Sequence, residues 1–341
     1  MLGKETLVAA WKIPSLRSLS RMRSRRRRGR VRSPGALLVA CFALVLGGAD
    51  LHTASAACPD TPAECLGSAA HFALVAQGRA FLGVSYLAED GIDPFWTWTT
   101  IEGDVCADRV SAVGPPPNGV GGANTVVKGN LAVLATTGLG VVAKTAGTLV
   151  PDWVGLETGH IATAGSLVGP RVGAGSVDTS GTDPLVDLCR SAHPAALDAA
   201  ATLSALPATG DLGRLVLAPG EYRTIPLGPG LNVFDAEEVR LGRASWLVFG
   251  KPGDTPTWVV VRTRSLQTSI YADMDAPPLL FVLAGKGPTV VLGRFSDNFG
   301  VGILAPERTV RMMGEVFIQG VWAKKATLRG VDLLPRGVFE P

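Results

Sequence analysis

Gly302-Ile303-Leu304-Ala305-Pro306 is followed by Thr309-Val310-Arg311-Met312, and then by Phe317-Ile318-Gln319-Gly320-Val321-Trp322-Ala323-Lys324-Lys325. Short apolar runs of four to six residues alternate with single glycines and one proline. Glycine at a corner lets φ turn positive or lets two backbones approach closely. This rhythm predicts a mainly β chain wound as a parallel β-solenoid (β-helix), in which each coil buries its inward residues against the next. Ile303, Leu304, Val310, Ile318 and Val321 are the expected inward set.

The same rhythm extends upstream. Leu215-Val216-Leu217-Ala218-Pro219-Gly220 reads as a strand ending in a Pro-Gly turn. Leu231 to Asp235, Trp246 to Phe249, Trp258 to Val261 and Leu279 to Leu283 read as buried strands. Between Thr125 and Gly175 short Val/Ala/Leu runs are broken by glycine every eight to twelve residues, as successive coils would be. Pro115-Pro116-Pro117-Asn118-Gly119 marks a loop. His71 to Val75 and Ala80 to Val84 read as first strands. One helix interrupts the pattern. Thr182 or Asp183 can cap it and Pro184 suits its first turn. Leu185, Leu188, Cys189, Ala192, Ala196, Ala199 and Leu203 recur at helical spacing, so the helix spans about 183–206. Pro194 is expected to kink it or split it in two.

Ile101-Glu102-Gly103-Asp104-Val105 has the opening rhythm of ice-binding-like solenoids, and the closing run and the element Asn232-Val233-Phe234-Asp235 resemble the choice-of-anchor A domain. That group of bacterial surface proteins sits within the wider ice-binding-like β-solenoid class. The resemblance covers roughly residues 72–334 and is closest from Leu215 onward. It implies a helix packed along the solenoid, and an adhesive, matrix or envelope-structural role outside the cell rather than catalysis. Ice binding is the first alternative it implies. Members usually end in an anchor. This chain stops at Pro341 with no LPxTG motif, apolar tail or basic terminus, so free secretion is expected as readily as retention.

The N-terminus agrees with export. Arg23 to Arg32 form a basic run, and residues 36–46 (ALLVACFALVL) form an apolar core of 11 residues, too short to span a membrane. Ala54-Ser55-Ala56 supplies a small-x-small cleavage signal. The expected organisation is a signal peptide over 1–56, cut between Ala56 and Ala57, with Met22 as an alternative start. A short cysteine-bearing segment over 57–70, the solenoid over 71–335 and a tail over 336–341 follow. Secretion, display at the cell surface, and periplasmic or outer-membrane association all satisfy this reading. Residues 1–56 hold 11 of the 32 basic groups and 2 of the 29 acidic groups, so the mature chain carries 21 against 27, a net of −6. That balance argues against a nucleic-acid partner. An extracellular surface, glycan or matrix component is the expected partner, with no cofactor.

Four cysteines remain after cleavage: Cys58, Cys65, Cys106 and Cys189. An even number in an oxidising compartment points to disulfides. Three pairings exist. The short loop favours Cys58–Cys65, which leaves Cys106–Cys189; in the alternative, one pair stays reduced and buried. Lipidation of Cys58 is a further reading, although Ser55 stands where lipoprotein signals usually carry a large aliphatic residue.

Chemistry-bearing motifs are sparse. Gly138-Leu139-Gly140-Val141-Val142-Ala143 fits G-x-G-x-x-A, yet a dinucleotide site needs a helix starting there, and Thr145, Gly147 and Pro151 oppose one. Gly285-Lys286-Gly287-Pro288-Thr289 lacks the first glycine and the final hydroxyl of a phosphate loop. No G-x-S-x-G occurs, and His71, His160 and His193 share no metal-binding spacing. A Ser–His–Asp set could assemble only in space. Asp273 and Asp275 point the same way on an extended segment, which suits Ca²⁺ or acid–base work on a glycan, and makes a carbohydrate-active enzyme the second alternative. The plainer reading is a polar rim before Pro277-Pro278; Asp297-Asn298 reads as a similar loop tip. Alternation places Trp96 and Trp98 on one strand face and Thr97 and Thr99 on the other. The tryptophans would stack on sugars or pack in the core. The threonines are the nearest approach to the Thr-x-Thr array that ice binding requires.

Overall fold

Strand after strand obeys a period of two, and every register in the main sheet is parallel. The computed structural model describes residues 61–89, 92–114, 125–135, 139–145, 156–165, 167–168, 172–250 and 256–334. They lie in one compact unit, Ala54–Pro341. The signal segment, Ala56, Ala57, Cys58, the Pro115–Gly119 loop and the tail over 336–341 fall outside the described residues.

Each coil contributes strands to three faces. The first face stacks 231–236, 258–263, 279–282, 301–305 and 320–323. The second stacks 239–241, 266–268, 290–292, 309–313 and 325–329. The third stacks 246–249, 273–275, 296–299, 316–318 and 331–333. The strands do not all stop at the corners. Ser296–Ile318 is continuous over 23 residues and Gly320–Leu333 over 14, where runs of four to six were expected. The hydrogen-bond ladder simply follows the chain around the bend.

The coil order departs from chain order. Gly320–Leu333 pairs with the N-terminal strand Phe72–Gly83 at Leu74↔Val321 and Phe81↔Thr327. Phe72–Gly83 in turn pairs with Asp104–Gly114. The N-terminal coils therefore continue the stack beyond the C-terminal one, ending at Val172–Asp178. The next segment must return to the opposite end, at Gly210–Leu217. Helix Pro184–Ala205 makes that return. Its 22 residues span about 33 Å, roughly seven strand spacings.

Asp183 caps this helix through Leu185 N at 2.8 Å. The helix runs unbroken past Pro194, so Pro194 does not split it in two. Its buried stripe is Val186, Cys189, Ala192, Ala196, Ala199, Ala200 and Leu203. Alanines bring the helix axis close to the first face, where Trp258 and Trp322 lie buried beneath it. Trp322 Nε1 donates to Ala69 O at 2.8 Å, which ties in the short 3₁₀ turn Gly67–His71. Here His71 ends the turn and the strand starts at Phe72.

Two cores result. Val259, Val261, Ile303, Val310, Ile318 and Val321 fill the interior of the solenoid. Val260, Leu280, Leu304 and Trp322 face outward and are covered by the helix. Leu304 is thus buried as expected but not inward, because its neighbour Ile303 takes the inward position and successive side chains alternate.

The corner between the second and third faces uses a left-handed residue in coil after coil: Gly220, Ala244, Tyr271, Phe295, Glu315 and Gly330. Tyr271 and Phe295 stack there with ring centroids 5.0 Å apart. At another corner Arg308 is buried and donates to Arg264 O, Ala284 O and Gly285 O at 2.6, 2.9 and 2.8 Å. Gly287 presses on this guanidinium, since a Cβ there would lie 2.6 Å from Cζ. The segment Gly285 to Thr289 therefore packs against an arginine.

Candidate functional site: two charged sheet faces

Among the described residues the helix covers the first face, while residues 85–97 pack only at the corner between the second and third, beside Gly330. On the second, the outward side chain of each coil stands between two buried ones, as in Val239-Arg240-Leu241 and Val310-Arg311-Met312. Register places nine such positions in one column: Val216, Arg240, Gln267, Val291, Arg311, Thr327, Phe81, Ser111 and Val142. Two residues before the column positions stand Arg214, Glu238, Lys325, Arg79 and Arg109; two after stand Met313 and Arg329. Among the side chains described, this face carries seven cations and one carboxylate.

Only Arg214 finds that carboxylate, Glu238, at 2.9 Å. Arg79 donates to Ser111 Oγ at 3.0 and 2.6 Å. Arg329 lies over the Phe81 ring at 5.0 Å. Arg311 Nε donates to Met313 Sδ at 3.2 Å. A groove of about 310 Å³ opens beside Arg311, lined by Val291, Arg294 and Met313 among others.

The third face is acidic. Asp273 and Asp275 both point outward on it, beside Trp246 and Val248 of the preceding coil. Asp297, Glu315 and Asp332 follow in later coils. Asp273 accepts from Asp297 N at 2.9 Å. Burial and the Asp273 charge push the Asp297 carboxyl above its usual range. Burial, Asp297 and Asp332 do the same to Glu315. Burial, aided by Glu102, raises Asp332 despite its bond with Thr100. Asn298 does not sit at a loop tip: it lies in a strand with its side chain fully buried. Tyr222 and Trp246 are exposed at the end of this face, edge to face at 6.1 Å.

The aromatic–threonine candidates do not form one surface. Ile92–Thr97 pairs antiparallel with Ser85–Glu89 in a separate two-stranded ribbon. The strand ends at Thr97; Trp98 is exposed, while Thr99 is fully buried with its hydroxyl 2.7 Å from Gly83 O. The Trp96 side chain lies outside the described residues. Trp98 thus stands outward between a half-buried Thr97 and a buried Thr99.

Cys106 and Cys189 form a disulfide that joins the first face to the helix. His193 Nε2 lies 3.4 Å from Cys106 Sγ. Both sulfurs are committed to each other, so this trio is not a free ligand set. Cys65 is also disulfide-bonded. Leu139–Thr145 is a strand, which leaves the G-x-G-x-x-A stretch without the helix a dinucleotide site needs.

One constellation invisible in the sequence does assemble. His160 Nδ1 lies 2.7 Å from Ser176 Oγ and Nε2 lies 2.8 Å from Asp183 Oδ2. Such a set can activate a hydroxyl in principle. Here Ser176 stands directly opposite His160 in the terminal coil, and Asp183 is the cap of the helix. The three side chains tie the last coil to the helix start, and the groove beside Arg311 does not touch them.

No family model matches the chain, and no curated protein matches it. The choice-of-anchor A resemblance has no counterpart among these findings. Solved structures do match at a distance, ice-binding proteins among them. A glycosylated ice-binding protein from an Arctic yeast is 16% identical, with a TM-score of 0.43, over 80% of this chain and 95% of that one. The ice-binding protein of the Antarctic ascomycete Antarctomyces psychrotrophicus is 14% identical, with a TM-score of 0.41, over 80% and 98%. A domain of the Shewanella frigidimarina ice-binding protein 1 is 15% identical, with a TM-score of 0.38, over 79% and 95%. Among the described residues no helix is long and apolar enough to cross a membrane.

Proposed function

We propose that the chain is an exported, non-enzymatic binding protein that holds an extended, repeating surface against its second sheet face. The observation that carries this is the column from Val216 to Val142, nine outward positions on successive strands. Strands in a ladder sit about 4.8 Å apart, so the column is a rigid ruler suited to a periodic partner. Adhesion to a glycan or matrix component is the first form of this reading.

Ice is the second. Its support is that seven of the nine column positions are uncharged, Arg240 and Arg311 being the exceptions. The flanking cations weigh against it, because a hydrated charge has no place in a lattice-matched water layer.

Thr327 stands inside the column and points outward, so Thr327→Tyr should spoil a flat contact without disturbing the core. Adsorption to ice and to insoluble polysaccharides, with thermal hysteresis measured alongside, is the test. Whichever surface retains the wild type should release the Tyr variant at unchanged melting temperature. Equal retention of both proteins would refute a role for this face. Thermal hysteresis in the wild type would select ice.

A further inference from the structure

Five of the charges on and beside the column have a cost that the fold does not recover. Like charges on neighbouring strands destabilise a sheet. Lys325, Arg79 and Arg109 nonetheless occupy three successive coils, with Arg79 directly opposite Arg109. Arg240 and Arg311 add two exposed guanidinium groups, and Arg329 a third, partly exposed. Among the described residues Arg79, Arg240, Arg311, Lys325 and Arg329 make no ion pair. The contacts of Arg79, Arg311 and Arg329 are with a hydroxyl, a thioether and an aromatic ring. Those contacts fix where the side chains point while leaving their charge available. This concentration stands out against a net charge of −6 over residues 57–341.

We propose that the second face binds an acidic linear polysaccharide, a chain bearing carboxylate or sulfate groups along its length. The proposal rests on the reading of this face as the binding surface and names its ligand class. Guanidinium forks match carboxylate and sulfate oxygens in pairs, which a neutral glycan cannot exploit. A polymer that meets several cations at once releases many counterions, and its affinity falls steeply with salt. Nucleic acid fits less well. Single strands need exposed aromatic platforms, and the only aromatic in the column, Phe81, has its ring face covered by Arg329. The acidic third face repels the same polymer, so binding is confined to one side of the molecule.

The test uses the purified protein with polygalacturonate, dextran sulfate and neutral dextran over a range of NaCl concentrations. Both acidic polymers should bind, dextran should not, and log affinity should fall linearly with log salt. The triple variant Arg240→Gln, Arg311→Gln, Lys325→Gln should bind the acidic polymers roughly tenfold or more weakly at low salt, with unchanged melting. Asp275→Asn, on the acidic face, should bind as wild type does. Dextran binding as tight as dextran sulfate binding, or an unaffected triple variant, overturns the proposal. Duplex or single-stranded DNA binding more tightly than either acidic glycan overturns the ligand class. A triple variant that changes the sedimenting species but not glycan affinity makes the face a contact between copies, which also overturns it. If the acidic glycans fail while Thr327→Tyr still releases the protein from ice, the face reading stands and only the ligand class falls.

Discussion

Removing the Cys106–Cys189 bridge, by Cys106→Ala together with Cys189→Ala, should cost the protein several degrees of thermal stability. The bridge spans 83 positions of sequence and links a central strand of the helix face to the helix. Closing a loop of that length removes about 15 cal/mol/K of entropy from the unfolded chain, or about 4.5 kcal/mol at 25 °C. A unit of this size unfolds with an entropy of about 0.6 kcal/mol/K, so the midpoint should fall by about 7 °C. Both cysteines are fully buried, and the space left by two sulfurs pushes in the same direction. Scanning calorimetry of both proteins, with peptide mapping to verify the bridge in the wild type, measures the effect. A double variant melting within about 1 °C of a verifiably bridged wild type would refute the loop-closure reasoning. It would mean that the helix is already held against its face in the unfolded ensemble.

Ile318→Ala should destabilise by about 2–5 kcal/mol through lost burial and a cavity, since Ile318 is 2% exposed; denaturant unfolding checks it, and an unchanged midpoint would put Ile318 on the outside. Ala244→Gly should stabilise by about 0.5–1 kcal/mol, because the left-handed φ of 53° costs an L residue more than glycine's extra unfolded freedom. Asp332→Asn should raise the melting temperature at pH 7. A carboxyl whose folded pKa is raised binds more protons folded than unfolded, so its charge opposes folding above that pKa; the advantage of Asn should shrink as pH falls through the folded pKa toward the unfolded one. Ser176 should not be labelled by a serine-reactive fluorophosphonate, and labelling that disappears in His160→Ala would revive the enzyme alternative.

The parallel architecture was legible because its causes are local. Inward-outward-inward triplets and corner glycines repeat within each coil, and Trp246–Phe249 emerges as a strand with the expected bounds. The long helix was legible for the same reason: Asp183, Pro184 and the stripe from Cys189 to Leu203 are a self-contained signal. Pro194 does not split the helix because tertiary burial of the alanine face outweighs one missing backbone donor. Alternation at 97–99 did not say which side is covered, and Thr99 lies on the buried one.

The charged faces were not legible, and the reason is topological. A column on one face draws each member from a different coil, about 25 residues from the next, so no window of sequence shows two together. The break in coil order hides more: Thr327 neighbours Phe81 only because the C-terminal strand pairs with the N-terminal one. Yet each member carries a mark, the middle place of a triplet such as Val239-Arg240-Leu241 or Val110-Ser111-Ala112. Those middle places cost little to vary, since the core is specified by their neighbours. A solenoid thereby separates two tasks that compete in other folds. Apolar residues at alternate positions fix the stack, and the remaining positions are free to set charge face by face. Segregation of arginine to one face and aspartate to another is not required by the stack. It is therefore the part of this chain to which a binding function is most directly attached.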